Sequence, residues 1–248
     1  MLSKFSTFRE RMQEHCSPFL EARLATRAQH RDTTEAAIVA AGLRLLAARG
    51  AEDLTIRGLA RELDLAPSAL YRYVTSRDDL LRLLLTHAHS DLVGAIQAAH
   101  DAVPRDDVAG RWRAFAHTLR SWSLAHRHEW LLIQRSVIVG PPTFGEETFR
   151  IHLLLIRLGA DAEAAGLRPV IASPGPRPAM PGLPYLLNAA GVEVSEQTAL
   201  AGLAAWHLLD GAIYSELLEL AGTEMLDHDM YYDAMVSATE LLLLPPAT

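Results

Sequence analysis

The sequence predicts an all-α protein, with a cluster of short N-terminal helices followed by a larger helical domain. Apolar residues recur every three or four positions in one stretch after another, the spacing of a helix face. Many of those stretches open on Ser, Thr, Asp or Pro and close on Gly or Pro, the ordinary start and stop signals. Neither the period-two alternation of strands nor a repeat of about 20 to 50 residues is present. With 248 residues, half of them hydrophobic, the chain can bury a core without metal or disulfide staples.

The elements follow in order. Asp32 and Glu35 form a possible capping box for a first helix, whose Ile38, Ala41 and Leu45 share a face and whose end falls at Gly50. After Ala51-Glu52-Asp53, Thr55 caps a second helix with Ile56, Leu59, Ala60 and Leu63 on one side. Asp64-Leu65-Ala66 separates it from a third, starting at Pro67, where a missing N–H costs nothing. Ser76 and Asp79 make another capping box, opening a fourth helix through Leu80 to Leu85.

Beyond it, Val108, Trp112, Phe115, Leu119 and Trp122 make an aromatic stripe on an amphipathic helix. Helices are also expected over Trp130 to Ile138 and Glu146 to Ala165, with Gly140-Pro141-Pro142 breaking the chain between them. Residues 168–191 carry six prolines and three glycines and are expected to form a long surface loop with little regular helix. Ser195 caps a helix to Leu220 with apolar residues on two sides, which predicts burial on both. A last helix runs from Asp229 to Leu244, ended by Pro245-Pro246.

A formal net charge of −7 argues against a nucleic-acid partner until its distribution is considered. Residues 1–87 hold 13 Lys and Arg against 11 Asp and Glu, whereas residues 88–248 hold 10 against 19. A mildly basic head on an acidic body suits a protein that grips DNA at one end. One cysteine, Cys16, can form no internal bridge and points to a reducing compartment. Met1 to Gln13 lacks the apolar core of an export signal, and no run approaches the ~18 apolar residues of a membrane span. A cytoplasmic protein without membrane partners is expected.

Two short helices joined by a three-residue turn are the layout of a helix-turn-helix, whose second helix enters the major groove by its leading residues. Leu59, Leu63, Leu65 and Leu70 are expected to form the small core beneath, leaving Ala66, Pro67, Ser68, Ala69 and Arg72 on the groove side. The string from Thr55 to Leu81, TIRGLARELDLAPSALYRYVTSRDDLL, together with AIVAAGLRLLAARG ending at Gly50, closely resembles the DNA-binding signature of TetR-family regulators. The likeness covers about 50 residues, Ala36 to Leu85. It departs from the usual pattern at Asp64, where Gly is common, and at Ala66, often Ser or Thr.

The resemblance implies a homodimer on double-stranded operator DNA. It makes Arg57 a reader of a guanine edge, and Tyr71, Tyr73 and Arg77 contacts to phosphate, which Thr55 at its helix N-terminus can also meet; a solvated surface charge is the competing role for Arg57 and Arg72, and packing against the first helix for Tyr71. Arg23, Arg27 and Arg31, four apart, suggest either an arm adding backbone contacts or a plain exposed face. The division expected is an N-terminal extension 1–31, a DNA-binding domain 32–87 and a dimerisation and effector domain 88–248.

In the C-terminal half, Ala205-Trp206-His207-Leu208-Leu209-Asp210-Gly211 resembles the Trp-His-Gly element of one TetR class, with Asp210 where His is usual. The family pairs through its last two helices, and small Ala201, Ala204, Ala205, Gly211 and Ala212 suit close approach. It also implies a small-molecule effector pocket, for which Trp112, Phe115, Trp122, Trp206, His207 and Asp210 are the candidates; core packing is the competing role for the aromatic residues. His87 with His89, and His126 with His128, stand two apart and so point to different helix sides; no metal or cofactor is expected. The competing readings are a DNA-binding architectural protein without an effector and an all-helical enzyme. For the enzyme the sequence offers no nucleophile elbow, phosphate-cradling glycine loop or paired metal carboxylates.

Overall fold

A computed structural model describes residues 32–139, 146–171, 178–220, 222 and 224–244. Expectations for Cys16, the arginines at 23, 27 and 31, the break at Gly140-Pro141-Pro142, Pro174, Pro176 and the terminal Pro245-Pro246 lie outside these residues. Among the described residues the secondary structure is helical, with no strand. In order come α1 (32–49), α2 (Ile56–Glu62), α3 (Pro67–Leu70), α4 (Arg77–Asp101) and α5 (Val108–Ala125). Then follow α6 (Arg127–Val139), α7 (Glu146–Ala164), α8 (Leu183–Ala190), α9 (Glu196–Leu217) and α10 (His228–Leu243).

Contacts divide the chain into two compact units, with the division after Leu84. In the first, Ile38, Leu46, Leu54, Leu59, Leu70, Leu80 and Leu84 are buried almost completely. All but Leu54, which comes from the turn before α2, lie on the apolar faces of their helices, so burial of these faces is the main source of cohesion in so small a unit. Asp32 already lies within α1, so the expected N-cap is one step or more too late. Gly50 adopts the left-handed conformation at φ 76°, which ends α1 as expected.

In the second unit, α5 lies against α6, α7, α9 and α10, and α9 packs along α10. The core holds Trp112, Phe115, Leu119, Trp130, Leu209, Ile213 and Tyr232. Two buried polar groups find partners across helices: Trp112 Nε1 donates to Thr239 Oγ1 at 3.2 Å and the Tyr232 hydroxyl to the Ala116 carbonyl at 2.8 Å. Arg120 donates to both Glu216 oxygens at 2.8 Å and to Asp229 at 2.6 Å, and lies over the Tyr232 ring, tying α5 to α9 and α10.

Residues 168–191 correct the loop expectation, because α8 forms inside them. Pro184 falls in its first turn, where a proline has no helical hydrogen bond to break. Gly191 closes it at φ 68°, with its N–H on the Leu187 carbonyl at 2.9 Å. Leu183 and Ala190 then pack with Ile156, Val194 and Ala199 into a second, smaller apolar cluster on α7 and α9. Helix α9 also departs from expectation: Ala201, Ala205, Leu209, Ala212 and Ile213 are buried, while His207, Leu208, Gly211 and Tyr214 on the other side are exposed in the single chain.

Candidate nucleic-acid interface

Helix α2 starts where Thr55, extended at φ −135°, accepts the Gly58 N–H on its hydroxyl at 3.0 Å. The cap fixes the helix start and therefore the direction in which Arg57 leaves the surface. At its other end Asp64 takes φ 52°, the left-handed geometry that Asp tolerates better than most residues. The Leu65 N–H reaches back to the Ala60 carbonyl at 2.9 Å, closing the turn. Replacing the usual glycine at this position therefore leaves the turn intact.

Helix α3 is a single turn with Pro67 at its start and no side-chain cap from Ala66. Turn bonds carry it onward, with the Tyr73 and Val74 N–H groups both on the Leu70 carbonyl at 2.8 and 3.0 Å. Leu70 and Val74 are buried and anchor the segment. Thr55, Arg57, Ala66, Pro67, Ser68, Tyr71 and Arg72 are exposed, Ala69 and Tyr73 half-buried. Leu65, expected in the core, is 39% exposed: the left-handed Asp64 turns it outward, and Ile56 and Leu54 complete the buried set instead.

Among the described residues Arg57, Arg61 and Arg72 have no ion-pair or hydrogen-bond partner for their guanidinium groups, which leaves these charges available to an external anion. Arg44 is engaged, with its Nε on Glu62 at 3.1 Å, and so ties α1 to α2. Arg77 is engaged too. Its Nε donates to the Leu54 carbonyl at 3.1 Å and its Nη2 to the Ala51 carbonyl at 2.6 Å, clasping the turn between α1 and α2. Sequence reasoning missed this second role, since carbonyls in a turn leave no mark on residue types.

The capping box at Ser76 and Asp79 forms with one change of partner. Ser76 accepts the Asp79 N–H at 3.1 Å, but the Asp79 carboxylate takes the N–H and hydroxyl of Thr75 at 2.8 and 3.0 Å. The Thr75 backbone bond, then its hydroxyl bond, holds the Asp79 carboxyl below its ordinary pKa. The start of α4 is thus fixed beside the end of α3.

The six candidate effector residues are placed differently. Trp112 and Phe115 stack at 5.6 Å in the core, and Trp122 donates to Asp91 at 2.7 Å. His207 is exposed; Asp210 is half-buried and accepts a hydrogen bond from Gln134. Burial pushes the Asp210 carboxyl above its ordinary value, against the opposing pull of Gln134. Trp206 lies edge-on to Phe115 and 6.2 Å from the His152 ring. A cavity lies elsewhere, between α7 and α9, and none of the six lines it.

Comparison with known proteins bears on this surface directly. The family model for bacterial regulatory proteins of the tetR family matches residues 38–84, which span α2, α3 and most of α1. HTH-type transcriptional regulator Rv1816 of Mycobacterium tuberculosis (strain ATCC 25618 / H37Rv) is 31% identical over 221 residues, covering 86% of this chain and 93% of that protein. The chain belongs to the TetR family. This TetR-family protein is a helix-turn-helix transcriptional regulator that binds DNA, and the short helices α2 and α3 lie within the matched region.

HTH-type transcriptional repressor DrrR1 of Streptomyces coeruleorubidus is 34% identical over 108 residues, or 42% of this regulator and 37% of that protein. A solved tetR-family regulatory protein from Rhodococcus RHA1 superposes with a TM-score of 0.58 at 17% identity, covering 86% of this chain and 98% of its own. At that identity the likeness concerns the fold: an N-terminal helix-turn-helix and a helical remainder. Among the described residues no helix is long and apolar enough to cross a membrane.

Proposed function

We propose that this regulator acts as a homodimeric repressor, placing α3 of each copy in successive major grooves of a pseudo-palindromic operator and leaving it when a small hydrophobic effector binds. The observation that carries the reading is the set of exposed Arg57, Ser68 and Arg72 on α2 and α3, anchored from below by fully buried Leu70. Arg57 reads a guanine edge, for which a guanidinium fork is the favoured partner. Pro67, Ser68, Ala69 and Arg72 approach bases, while Thr55, Tyr71 and Tyr73 meet phosphates on either side. Arg77 supports this surface from its carbonyl clasp.

Dimerisation through α9 and α10 is supported by apolar side chains left exposed there, among them Leu208, Tyr214, Met230 and Leu241. Two such faces brought together bury apolar area that one chain leaves in water. The partial likeness to a named repressor supports repression.

Selection of bound fragments from genomic DNA, followed by mobility-shift assays at low and moderate salt, tests the proposal. A palindromic site bound by two copies is expected, with Arg57→Ala relaxing base choice at one position per half-site. Binding that is indifferent to sequence overturns it.

A further inference from the structure

The exposed edge of the helix-turn-helix carries an uneven set of base-reading groups. Arg57 stands on α2 and Arg72 just after α3, both exposed; of the residues that open α3, Ala66, Pro67 and Ser68 are exposed and Ala69 is half-buried. From Leu65 to Arg72 there is no Asn, Gln, Asp, Glu or Lys. In the major groove guanine offers two acceptors to an arginine fork, adenine is matched by Asn or Gln, cytosine donates to a carboxylate, and thymine presents its C5-methyl group to an apolar side chain. The residues here suit guanine and thymine and lack the partners that read adenine and cytosine directly. Ser68 discriminates little, since a hydroxyl both donates and accepts.

The alanines have no structural role that accounts for them. Ala66 is the N-cap of α3 and makes no side-chain cap bond, although a hydroxyl there would stabilise a helix only one turn long. Its methyl belongs to no core either, because the residue is exposed. The edge is held in place by other groups. The Ala69 N–H donates to the Ala66 carbonyl at 2.9 Å and the Tyr71 N–H to the Pro67 carbonyl at 3.2 Å, while buried Leu70 and Val74 anchor the segment. Pro67 fixes its own φ, so the backbone that carries the two methyl groups is rigid. Alanine has no rotamer freedom to lose when it meets a base.

We propose that Ala66 and Ala69 read thymine through its C5-methyl group, so that each operator half-site carries T·A pairs where α3 enters and guanine where Arg57 and Arg72 reach. This base preference deepens the operator reading above and rests on it.

Selection with the full-length protein from a pool of random duplexes supplies the half-site. Deoxyuridine in place of thymine then tests the methyl contact, because uracil keeps the pairing and lacks only the methyl. In mobility shifts, substitution of a thymine that faces α3 is expected to weaken binding by about fourfold per half-site, the value of one methyl taken out of water. Ala66→Gly and Ala69→Gly remove the protein's methyls one at a time. Glycine suits an N-cap better than alanine, so Ala66→Gly keeps the fold. Ala69→Ser, which retains the Cβ and adds a hydroxyl, serves where Ala69→Gly abolishes binding altogether. The variants at one of these positions are expected to bind the thymine duplex about fourfold more weakly and to bind the uracil duplex as wild type does, losing the preference at one base pair. A merely structural loss weakens both duplexes equally.

Selected half-sites without a T·A pair, uracil duplexes bound as tightly as thymine ones, or a thymine preference that survives in the variants at both positions overturns the inference and leaves sequence-specific binding standing. A selection that enriches no sequence is a different failure, since it overturns the operator reading itself.

Discussion

The resemblance makes Arg77 a phosphate contact and the geometry makes it a clasp, and the two roles separate experimentally. Arg77→Ala removes the bonds to the Leu54 and Ala51 carbonyls at 3.1 and 2.6 Å. The side chain is 40% exposed, so water replaces part of what is lost. At about 1 kcal/mol or less per bond, the expected cost is about 1–2 kcal/mol. Arg77→Lys keeps the charge but has no planar fork to span two carbonyls, and is expected to recover at most about half.

All four tryptophans lie beyond the division at Leu84, so tryptophan fluorescence reports the second unit while far-ultraviolet dichroism reports both. In urea, Arg77→Ala is expected to shift a dichroism transition to lower denaturant and leave the fluorescence transition in place. In mobility shifts over a salt series the slope of log K against log salt is expected to match the wild type. A lost phosphate contact would instead flatten that slope by about 0.9. Unchanged unfolding with a flattened slope would refute the clasp.

Leu70→Ala, which empties a fully buried position beneath α3, is expected to cost about 2–5 kcal/mol in the same dichroism transition and to abolish operator shifts. Burial works against ionisation of Glu163 and Asp161, but hydrogen bonds from Ser195 and Thr198 to the first, and from Arg105 and Arg111 to the second, outweigh it and lower both pKa values. Their stabilisation is present above the unfolded values, which lie near 4.5 and 3.8, and is lost as pH falls through the lower folded ones. Melting below pH 4.5 is expected to show a shallower decline in Glu163→Gln. Asp210 has the opposite sign: its raised pKa stabilises the protonated form and loses that contribution as pH rises through it, so Asp210→Asn is expected to melt no lower than wild type at neutral pH. Tyr214→Glu, on the exposed side of α9, is expected to give monomer mass in sedimentation with an unaltered fluorescence spectrum; a persistent dimer rejects that face as the interface.

The helix-turn-helix was legible because its physics is local. Thr55 caps within three residues, Asp64 sets its own φ, Pro67 starts its own helix, and the apolar spacing of Ile56 and Leu59 names the buried side. What the residues did not reveal was direction after a left-handed turn. Leu65 reads as core by type, yet Asp64 rotates the chain so that Leu65 faces water and Leu54, from the previous turn, fills the interior. The Arg77 clasp was hidden for a related reason: its acceptors are backbone carbonyls 23 and 26 residues away.

The α8 segment shows why proline content alone misleads. A proline forbids helix only where its N–H and ring would meet the preceding turn, and Pro184 stands before any such turn exists. Four apolar residues in a row on Leu183-Pro184-Tyr185-Leu186, ended by Gly191, carried a helix signal that the surrounding prolines obscured. Its consequence is architectural, since Leu183 and Ala190, at the two ends of the helix, pack with Ile156, Val194 and Ala199 into the second apolar cluster. Large rings at helical spacing can line a pocket, but Trp112 and Phe115 stack on each other, Trp112 donates to Thr239 on α10 and Trp122 to Asp91 on α4, so the stripe of α5 packs in the core. Only the tertiary packing distinguishes Gly202, where a Cβ would meet nothing within 4 Å, from Gly159, where it would stand 2.8 Å from Thr198 Cγ2 and so marks a contact of α7 with α9.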